Sequence, residues 1–520
     1  MMANEDCTLT TIVIEQTFAD YSGELPAITS PMTITSKVNS TIDQLEPAPY
    51  DGLRVFSGPF ALQGVTLRYF SHPLVLYSQE ATVTGVDIES STWPLIATRD
   101  ASDVTVRACR FASASNPLVI SGTRVTLDAV RVSNSDSDGV LLRQATFASI
   151  TDTTVTGSLM AGLVVESSLD VVVTGSRFGA PMQPLNDNDN GDGTTSSSST
   201  TTTATTTTTT TTTTYEGSGQ GNGESDGNQA GGVVVKRSYR VALLASHFGL
   251  NAQSNLEIER SRGVSVLQNS FRAREARTPA LNLLVNASRE VSIGEAGSGN
   301  TFLGSAYSMR YHIRLLNVRS VVVKANSFAA AADDQVAAVL AGNFTTRGLV
   351  TLFAQAQFTV PELVAVSVSA STLVVIGAEA SDTPTPTTTA ITPAALDPDG
   401  NVFADELSAS SLEIDGSSGV EVGHNLFGAA LDKDKSGAID PTTYSVAPTP
   451  VAVLSGSSDV DLSSNIITGL LASQGVRVAD SSDVRARANV IAAAGTLAAL
   501  PAPVILDATS MADALPPDGR

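Results

Sequence analysis

The sequence predicts an all-β fold, a solenoid in which short strands stack in parallel as a β-helix. The first observation is a repeated unit of about 23 residues, which is clearest in NLEIERSRGVSVLQNSF (255–271). Two short segments of this unit alternate apolar and polar residues, and Asn269 and Phe271 close it. Alternation with period two places successive side chains on opposite faces of a strand, and a short fixed period is typical of solenoid proteins.

The same unit recurs along the chain, with two alternating segments followed by a polar residue and a closing apolar residue. β-Branched residues dominate these segments, and apolar residues do not recur at i+3 and i+4, so a helical interpretation fails. Because the chain keeps one sense of winding, each strand is expected to stack on its equivalent one coil on, about 4.8 Å away. Further copies are HIRLLNVRSVVVKANSF (312–328), SLEIDGSSGVEVGHNLF (411–427) and GVRVADSSDVRARANVI (475–491).

The spacing of the closing residues defines the register of the repeat. Within the recognisable stretches, consecutive closing residues lie 21 to 24 residues apart. The step between Phe178 and Phe248 is 70 residues, which corresponds to one coil plus an insertion. We therefore predict that these two rings stack directly. The other closing residues are Ile88, Phe111, Val132, Val155, Phe271, Ile467 and Ile491.

This pattern resembles the right-handed parallel β-helix, or pectin-lyase-like, superfamily with its short parallel β-helix repeats. The resemblance covers most of residues 55–180, 230–345 and 405–510. It implies an internal ladder of asparagine side chains at the turn after a strand, where the amides satisfy buried turn groups. The asparagines placed two residues before a closing apolar residue are Asn269, Asn300, Asn326, Asn425, Asn465 and Asn489.

The chain is predicted to form one long solenoid, because a solenoid lengthens without dividing into domains. The Asp-, Thr- and Gly-rich insertion at 181–230 cannot bury enough apolar surface and is expected to be disordered. It is either a glycosylated, stalk-like loop or a tolerated expansion. The predicted segments are an N-terminal cap (1–50), β-helix coils (51–180, 231–380 and 405–510), insertions (181–230 and 381–404), an acidic loop (431–444) and a C-terminal tail (511–520).

Net charge and composition limit the classes of binding partner that the sequence predicts. The net charge of −22 argues against nucleic acid and anionic membrane surfaces. Cys7 and Cys109 are too few for a disulfide framework, so we expect unpaired, partly buried thiols. The opening MMANEDCTLTTIVIEQTF lacks the features of a secretory signal peptide, and no segment reaches the roughly 20 apolar residues of a membrane span. Location stays open, with a virion or cell surface favoured.

One acidic segment, LDKDKSGAIDPTTY (431–444), resembles the calcium loop of an EF-hand. It places oxygen ligands at positions one, three, five and nine and a glycine at the sharp turn. It departs from that loop at position twelve, where Thr443 stands in place of a bidentate glutamate. The sequence leaves open a Ca²⁺ site or a solvated acidic turn. The candidate ligands are Asp432, Asp434, Ser436 and Asp440.

An outward-facing row provides the candidate catalytic residues. The residue after the second inward position of the first strand alternates in charge over four coils. If stacked in register, neighbours in this row lie about 5 Å apart. The row is either a set of surface ion pairs or a glycan-cleaving site, since two carboxyl groups about 5–10 Å apart serve glycosidases. The four residues are Arg143, Glu166, Lys236 and Glu259.

Three function classes remain. We favour a non-catalytic scaffold, a surface or virion structural or adhesion-type protein, because the catalytic signatures of the similar superfamily are missing. The alternatives are a polysaccharide lyase or glycoside hydrolase, and a carbohydrate-binding protein without turnover. One Trp and nine Tyr, with no outward aromatic row, offer little for stacking on sugar rings. A polysaccharide or cell-surface glycan is the expected partner, Ca²⁺ is the one cofactor considered, and the oligomeric state is open, a homotrimer included.

Overall fold

The computed structural model describes residues 10–15, 18–21, 24–44, 50–179, 227–249, 251–272, 281–305, 309–331, 363–378, 399–404, 410–427, 429–431, 439–444, 452–468, 476–487, 489–492 and 504–506. Every regular element within these residues is a β-strand, and there are 47 of them, β1 to β47. They form two parallel sheets and one antiparallel hairpin. The predicted parallel β-helix is therefore confirmed.

The first sheet takes one strand from each successive coil. Its burial alternates, so that Leu256 and Ile258 are fully buried whereas Glu257 and Glu259 face outward. Its 15 strands are β4 (Asp51–Val55), β6 (His72–Leu76), β9 (Ile96–Ala97), β12 (Leu118–Ile120), β15 (Val140–Arg143), β18 (Ala161–Glu166), β21 (Gly231–Lys236), β24 (Ser254–Glu259), β27 (Leu281–Asn286), β30 (Tyr311–Leu316), β33 (Val364–Ser369), β36 (Ser410–Asp415), β41 (Ala452–Ser455), β44 (Val476–Ala479) and β47 (Val504–Leu506).

The second sheet consists of two parallel ladders that join through its long N-terminal strands, β3 and β5. The first ladder contains β7 (Gln79–Thr84), β10 (Ser102–Arg107), β13 (Thr123–Asp128), β16 (Thr146–Thr151), β19 (Leu169–Thr174), β22 (Tyr239–Leu244), β25 (Arg262–Leu267), β28 (Arg289–Ile293), β31 (Arg319–Val323), β34 (Thr372–Gly377), β37 (Ser418–Gly423), β42 (Ser458–Ser463) and β45 (Ser482–Arg487). The second ladder contains β8 (Asp87–Glu89), β11 (Arg110–Ala114), β14 (Arg131–Ser135), β17 (Thr154–Thr156), β20 (Arg177–Gly179), β23 (His247–Gly249), β26 (Ser270–Arg272), β29 (Thr301–Ser305), β32 (Ser327–Ala331), β35 (Val402–Ala404), β38 (Leu426–Phe427), β43 (Ile466–Thr468) and β46 (Val490–Ala492). The joining strands are β1 (Thr10–Ile14), β2 (Phe18–Tyr21), β3 (Met32–Gln44) and β5 (Phe60–Arg68).

Each regular coil contains three strands, whereas the repeat predicts two. In the coil that shows the repeat best, β24 and β25 are the two predicted strands and β26 is the third. The third strand has only three residues, Ser270–Arg272, and carries the closing Phe271. A strand this short contains too little alternation to be recognised from the sequence.

The closing residues form one column, as the register predicts. Phe178 pairs with Phe248 across the 70-residue step, and the column continues to Ile467 and Ile491. Consecutive rings in its central part stack with centroids 4.6 to 5.7 Å apart. Most of these spacings are close to the distance between coils, about 4.8 Å. The stacked rings are Phe178, Phe248, Phe271, Phe302, Phe328, Phe403 and Phe427.

The structure places the six predicted asparagines in a single hydrogen-bonded column between the two ladders. The Nδ2 of each donates to the Oδ1 of the next, at 2.9 to 3.1 Å. Each Nδ2 also donates to a carbonyl oxygen of the preceding coil, as Asn425 does to Ile376 at 2.9 Å. Asn401, a seventh member that we did not predict, lies between Asn326 and Asn425.

A second polar column, of serines, lies at the corner between the first sheet and the first ladder. The backbone N–H of Ser238 donates to the Oγ of Ser261, which in turn donates to the carbonyl oxygen of Glu259. The residue before each serine adopts a left-handed conformation, as Arg260 does with a φ of 49°. The serines of this column are Ser168, Ser238, Ser261, Ser288, Ser371, Ser417, Ser457 and Ser481.

A buried polar chain crosses the third corner, where the second ladder returns to the first sheet. Asn228 donates to Asn251, and the chain continues through Asn255 and Asn282 with contacts of 2.6 to 3.0 Å. It ends at His312, which is 1% exposed. This chain satisfies side-chain groups that burial would otherwise leave unpaired.

The same third corner receives nearly all connections of variable length. The first two corners of most coils contain two residues, whereas β20 ends at Gly179 and β21 begins at Gly231. Two longer connections lie at the second corner, between β28 and β29 and between β34 and β35. Most of the predicted insertions at 181–230 and 381–404, and the whole tail at 511–520, lie outside the described residues. Residues 399–404, which we assigned to the second insertion, instead include β35 and the stacked Phe403.

Candidate functional site

The four predicted catalytic residues lie in one outward-facing column of the first sheet. Arg143 pairs in register with Glu166, Glu166 with Lys236, and Lys236 with Glu259. Each follows an inward residue that is fully buried, such as Leu142 before Arg143. Strand pairing therefore brings together charges that are far apart in the chain.

Glu166 is held between two arginines. The Nε of Arg143 donates to Oε2 of Glu166 at 2.9 Å, and Arg237, at the next turn, donates to Oε1. Burial acts to raise the pKa of Glu166, but the hydrogen bonds and positive charges of both arginines outweigh it and hold the pKa below its ordinary value. Lys236 approaches Glu259 more loosely, at 4.0 Å.

This geometry limits the chemistry of the column. Glu166 and Glu259 stand two coils apart, about 10 Å between backbones, which is within the range for paired carboxyl groups. However, a carboxyl group with a lowered pKa is ionised at neutral pH and has no proton to donate as a general acid. The catalytic role of Arg143, Glu166, Lys236 and Glu259 therefore stays a prediction.

A second charged group, which the sequence analysis missed, lies on the same face nearer the C-terminal end. Arg314 faces outward between the buried Ile313 and Leu315 and is two coils from Glu413 in register. The guanidinium carbons of Arg310 and Arg314 lie 5.3 and 5.2 Å from the ring centre of Tyr311.

Glu413 differs from Glu166 in the direction of its pKa shift. Burial raises the pKa of Glu413, the positive charge of Arg310 opposes this rise, and the charge of Asp415 adds to it. Glu413 and Asp415 face outward from the same strand, β36, on either side of the buried Ile414. A signal in the sequence was available, since SLEID has two acidic residues at alternate positions.

The structure provides no geometry for the predicted calcium site. Asp432, Asp434 and Ser436 lie outside the described residues, and only the backbone of Asp440 is described. The segments on either side pair as an antiparallel hairpin, β39 (Ala429–Leu431) with β40 (Ile439–Tyr444). Elsewhere in the described part of the chain, no three His, Cys, Asp or Glu side chains are grouped to hold a metal ion. Ca²⁺ therefore stays a prediction.

The burial of Cys109 determines how reactive its thiol is. Cys109 is a free thiol, 2% exposed, and Cys7 lies outside the described residues. Burial raises the pKa of Cys109 to about 11, although hydrogen bonds with backbone groups of Val86 and Arg107 oppose the rise. Such a thiol stays protonated near neutral pH and is a poor nucleophile.

Comparison with known proteins addresses the fold. The family model described as right-handed β-helix region matches residues 74–208. The fold is a right-handed parallel β-helix. The strand pairing described above extends this β-helix well beyond the matched residues. No curated protein sequence matches the chain significantly. Within the described residues, no helix has the length and apolar character that a membrane span requires.

Solved structures with similarity to the β-helix share little sequence with it. The Azotobacter vinelandii mannuronan C-5 epimerase AlgE4 A-module is 11% identical, with a TM-score of 0.37, over 90% of this chain and 88% of that chain. The Dettilon tailspike protein is 11% identical, with a TM-score of 0.38, over 82% of this chain and 61% of that chain. Pectate lyase Pel9A is 10% identical, with a TM-score of 0.28, over 62% and 68%. At these scores the likenesses carry no argument about activity.

Proposed function

We propose that the protein is a non-catalytic β-helix scaffold, a structural or adhesion-type protein of a virion or cell surface. The observation that carries this proposal is the clamp on Glu166 by Arg143 and Arg237. A carboxylate placed as in a glycan-cleaving site is instead engaged by two cations and kept ionised. This arrangement suits an ion pair that connects neighbouring coils better than it suits proton transfer.

Other outward charges follow the same arrangement. Asp103 accepts two hydrogen bonds of 2.6 Å from Arg124, which is one coil further on. Asp170 pairs with Arg240, and Glu290 with Arg262 at 2.7 Å, again between neighbouring coils. Exposed pairs of this kind are screened by solvent and add little to stability, so their value to a scaffold is lateral order along the solenoid.

The surface location is part of the proposal. A net charge of −22 favours solubility, and one corner of the solenoid accommodates long connections without interrupting strand pairing. Such a scaffold can present loops to its surroundings while the stacked coils hold their positions. Labelling of intact source particles or cells with an impermeant amine reagent tests this, because an internal protein would stay unlabelled until lysis.

The experiment that tests the absence of catalysis uses a panel of acidic and neutral polysaccharides, with and without Ca²⁺. Unsaturated products and new reducing ends are measured for the wild type, Glu166→Gln and Lys236→Ala. We expect no product from any of the three. Glu257→Gln, on the same sheet face, is the matched control for charge removal. Product formation by the wild type that Glu166→Gln abolishes would refute the scaffold proposal.

A second candidate function, carbohydrate cleavage or binding, is favoured by Glu413. Its raised pKa and its outward position beside Asp415 suit a carboxyl group that donates a proton or a hydrogen bond. The same polysaccharide panel with Glu413→Gln tests this function, and Glu421→Gln, which faces outward from β37 on another sheet, is the control. Loss of product or of glycan retention with Glu413→Gln alone would support this candidate.

A further inference from the structure

The outward column that contains Arg143 and Glu166 begins with two exposed aromatic residues, Phe56 and Tyr77. Each is the first residue after a strand of the first sheet, and the backbone N–H of Tyr77 donates to the carbonyl oxygen of Val55 at 2.8 Å. The two rings stack face to face, 4.7 Å between centres and 4° from parallel. They are 51% and 38% exposed. The sequence predicts no outward aromatic row, and this pair departs from that prediction.

After Tyr77, the outward column continues with residues that have small side chains. Its next members are Thr98 and Ser121, whose backbone N–H groups donate to the carbonyl oxygens of Leu76 and Ala97 at 3.0 and 2.8 Å. Arg143 follows, three coils from Tyr77, or about 14 Å along the solenoid. One face of the Tyr77 ring is covered by Phe56, and the next two residues of the column, in register on its other side, are Thr98 and Ser121. The column therefore has a gap between an aromatic ring and an arginine.

Polar groups border this gap. The hydroxyl of Thr98 is buried, so Ser121 is the hydroxyl-bearing residue placed at the floor. In this coil the first corner contains four residues, 98–101, where most coils have two, and its additional residues Arg99 and Asp100 are exposed. An aromatic ring, a hydroxyl and a guanidinium thus follow one another along the column, and the corner that contains Arg99 and Asp100 begins at its Thr98.

These groups match the chemistry of a sugar. The C–H bonds on one face of a pyranose ring meet the negative face of an aromatic ring favourably, and its hydroxyl rim pairs with Ser, Arg and Asp side chains. An anionic sugar would gain less, because Glu166 already neutralises Arg143 and the chain carries a charge of −22.

We propose that the gap between Tyr77 and Arg143 binds a neutral oligosaccharide, with the Phe56–Tyr77 pair as its stacking platform. This inference rests on the proposed non-catalytic function and names the partner of the scaffold. The site lies at the N-terminal end of the column. The structure describes strand pairing over more than ten coils of the solenoid. It is separate from the Glu413 group, which belongs to later coils.

The test is titration calorimetry of the full chain with four hexasaccharides: maltohexaose, cellohexaose and chitohexaose as neutral probes, and hexagalacturonate as the anionic probe. We expect at least one neutral probe to bind. Tyr77→Ala should weaken its binding by about tenfold or more, whereas Tyr77→Phe keeps the stacking face and binds like the wild type. Ser121→Trp fills the gap and should abolish binding. Phe147→Ala removes a ring from another sheet that is more exposed than Tyr77, 55% against 38%, and should change nothing.

Several outcomes would overturn the proposal. Thermal unfolding of each variant first establishes that the variant is folded. If Tyr77→Ala does not fold, Tyr77→Phe and Ser121→Trp still test the proposal. Binding of no neutral probe, binding of hexagalacturonate alone, or equal binding by Ser121→Trp would each refute it. A fall in mass of Tyr77→Ala in light scattering would show that the pair is a self-association surface instead. Failure to bind leaves the scaffold proposal standing, whereas release of cleaved product refutes the scaffold and not the site.

Discussion

The side-chain amide of Asn282 donates to Nδ1 of His312 at 2.9 Å, and Nε2 of the same ring lies 3.0 Å from the carbonyl oxygen of Ala329. The amide orientation is fixed, because its Oδ1 accepts from Asn255 at 2.6 Å. Only the neutral imidazole with hydrogen on Nε2 satisfies both partners. Burial lowers the pKa of His312 to about 4, against the opposing effect of its hydrogen bond to Ala329.

Acidification should therefore destabilise the fold through His312. Its pKa is lower in the native state than the ordinary value of 6.5, so between pH 6.5 and about 4 the unfolded chain takes up a proton that the native chain does not. Stability falls as the pH falls through this window, by about 3 kcal/mol from this group. Urea unfolding at a series of pH values measures the effect.

The matched control for this pH dependence is His312→Asn. An asparagine there would continue the chain of amides from Asn282 without a titratable group. We expect its urea midpoint to change less than that of the wild type between pH 6.5 and 4. An unchanged pH dependence in this variant would show that other groups carry the acid sensitivity.

The asparagine ladder should be a large contributor to stability. Asn425 makes four side-chain hydrogen bonds, accepting from the backbone and Nδ2 of Asn401 and donating to Ile376 and Asn465. Asn425→Ala leaves these buried groups unpaired and should reduce the free energy of unfolding by about 2–4 kcal/mol. Denaturant titration measures this, with the outward-facing Asn286→Ala as control. A loss equal to that of the control would contradict a structural role for the ladder.

The repeat was predictable because the residues that define it each occupy one fixed position in the coil. Phe or Ile at a fixed step and Asn two positions earlier determine coil register, and the register in turn predicts the Arg143–Glu166 contact. Asn401 obeys the same rule relative to Phe403, but the Pro- and Thr-rich segment before it concealed the coil.

The second arginine on Glu166 was not predictable in the same way. Arg237 is at a turn rather than on a strand, so its direction depends on a left-handed backbone with a φ of 50°, which the sequence does not reveal. The Phe56–Tyr77 stack was missed because the coils at this end, with long strands β3 and β5, depart from the 23-residue pattern. Contacts within the 23-residue pattern were therefore predictable, whereas the Arg237 contact, which depends on turn conformation, and the Phe56–Tyr77 stack, which lies outside the pattern, were not.

The phenylalanine column should tolerate aliphatic residues better than a void. The column also contains Val132 and Val155, which lie between Phe111 and Phe178 and show that a coil can close around smaller side chains. We expect Phe271→Ala to cost about 3–5 kcal/mol because it leaves a cavity between two stacked rings, and Phe271→Leu to cost less than half of that. Thermal and denaturant unfolding distinguish the two. Equal losses would show that ring stacking, rather than filled volume, holds the column.

The left-handed residues of the first corner allow backbone strain to be measured in isolation. Ala370 and Gly416 occupy the same position of neighbouring coils, with φ values of 47° and 54°. A Cβ added at Gly416 would meet no atom within 4 Å, so Gly416→Ala changes conformational preference without a clash. An L-residue in this conformation costs about 1–2 kcal/mol, which is partly offset by the greater flexibility of glycine in the unfolded chain. We therefore expect Ala370→Gly to stabilise the fold and Gly416→Ala to destabilise it by a similar amount, about 1 kcal/mol, and the double variant to unfold at the wild-type denaturant midpoint. Shifts of the same sign in both single variants would mean that contacts of the alanine methyl group, and not the backbone, determine the preference at this corner.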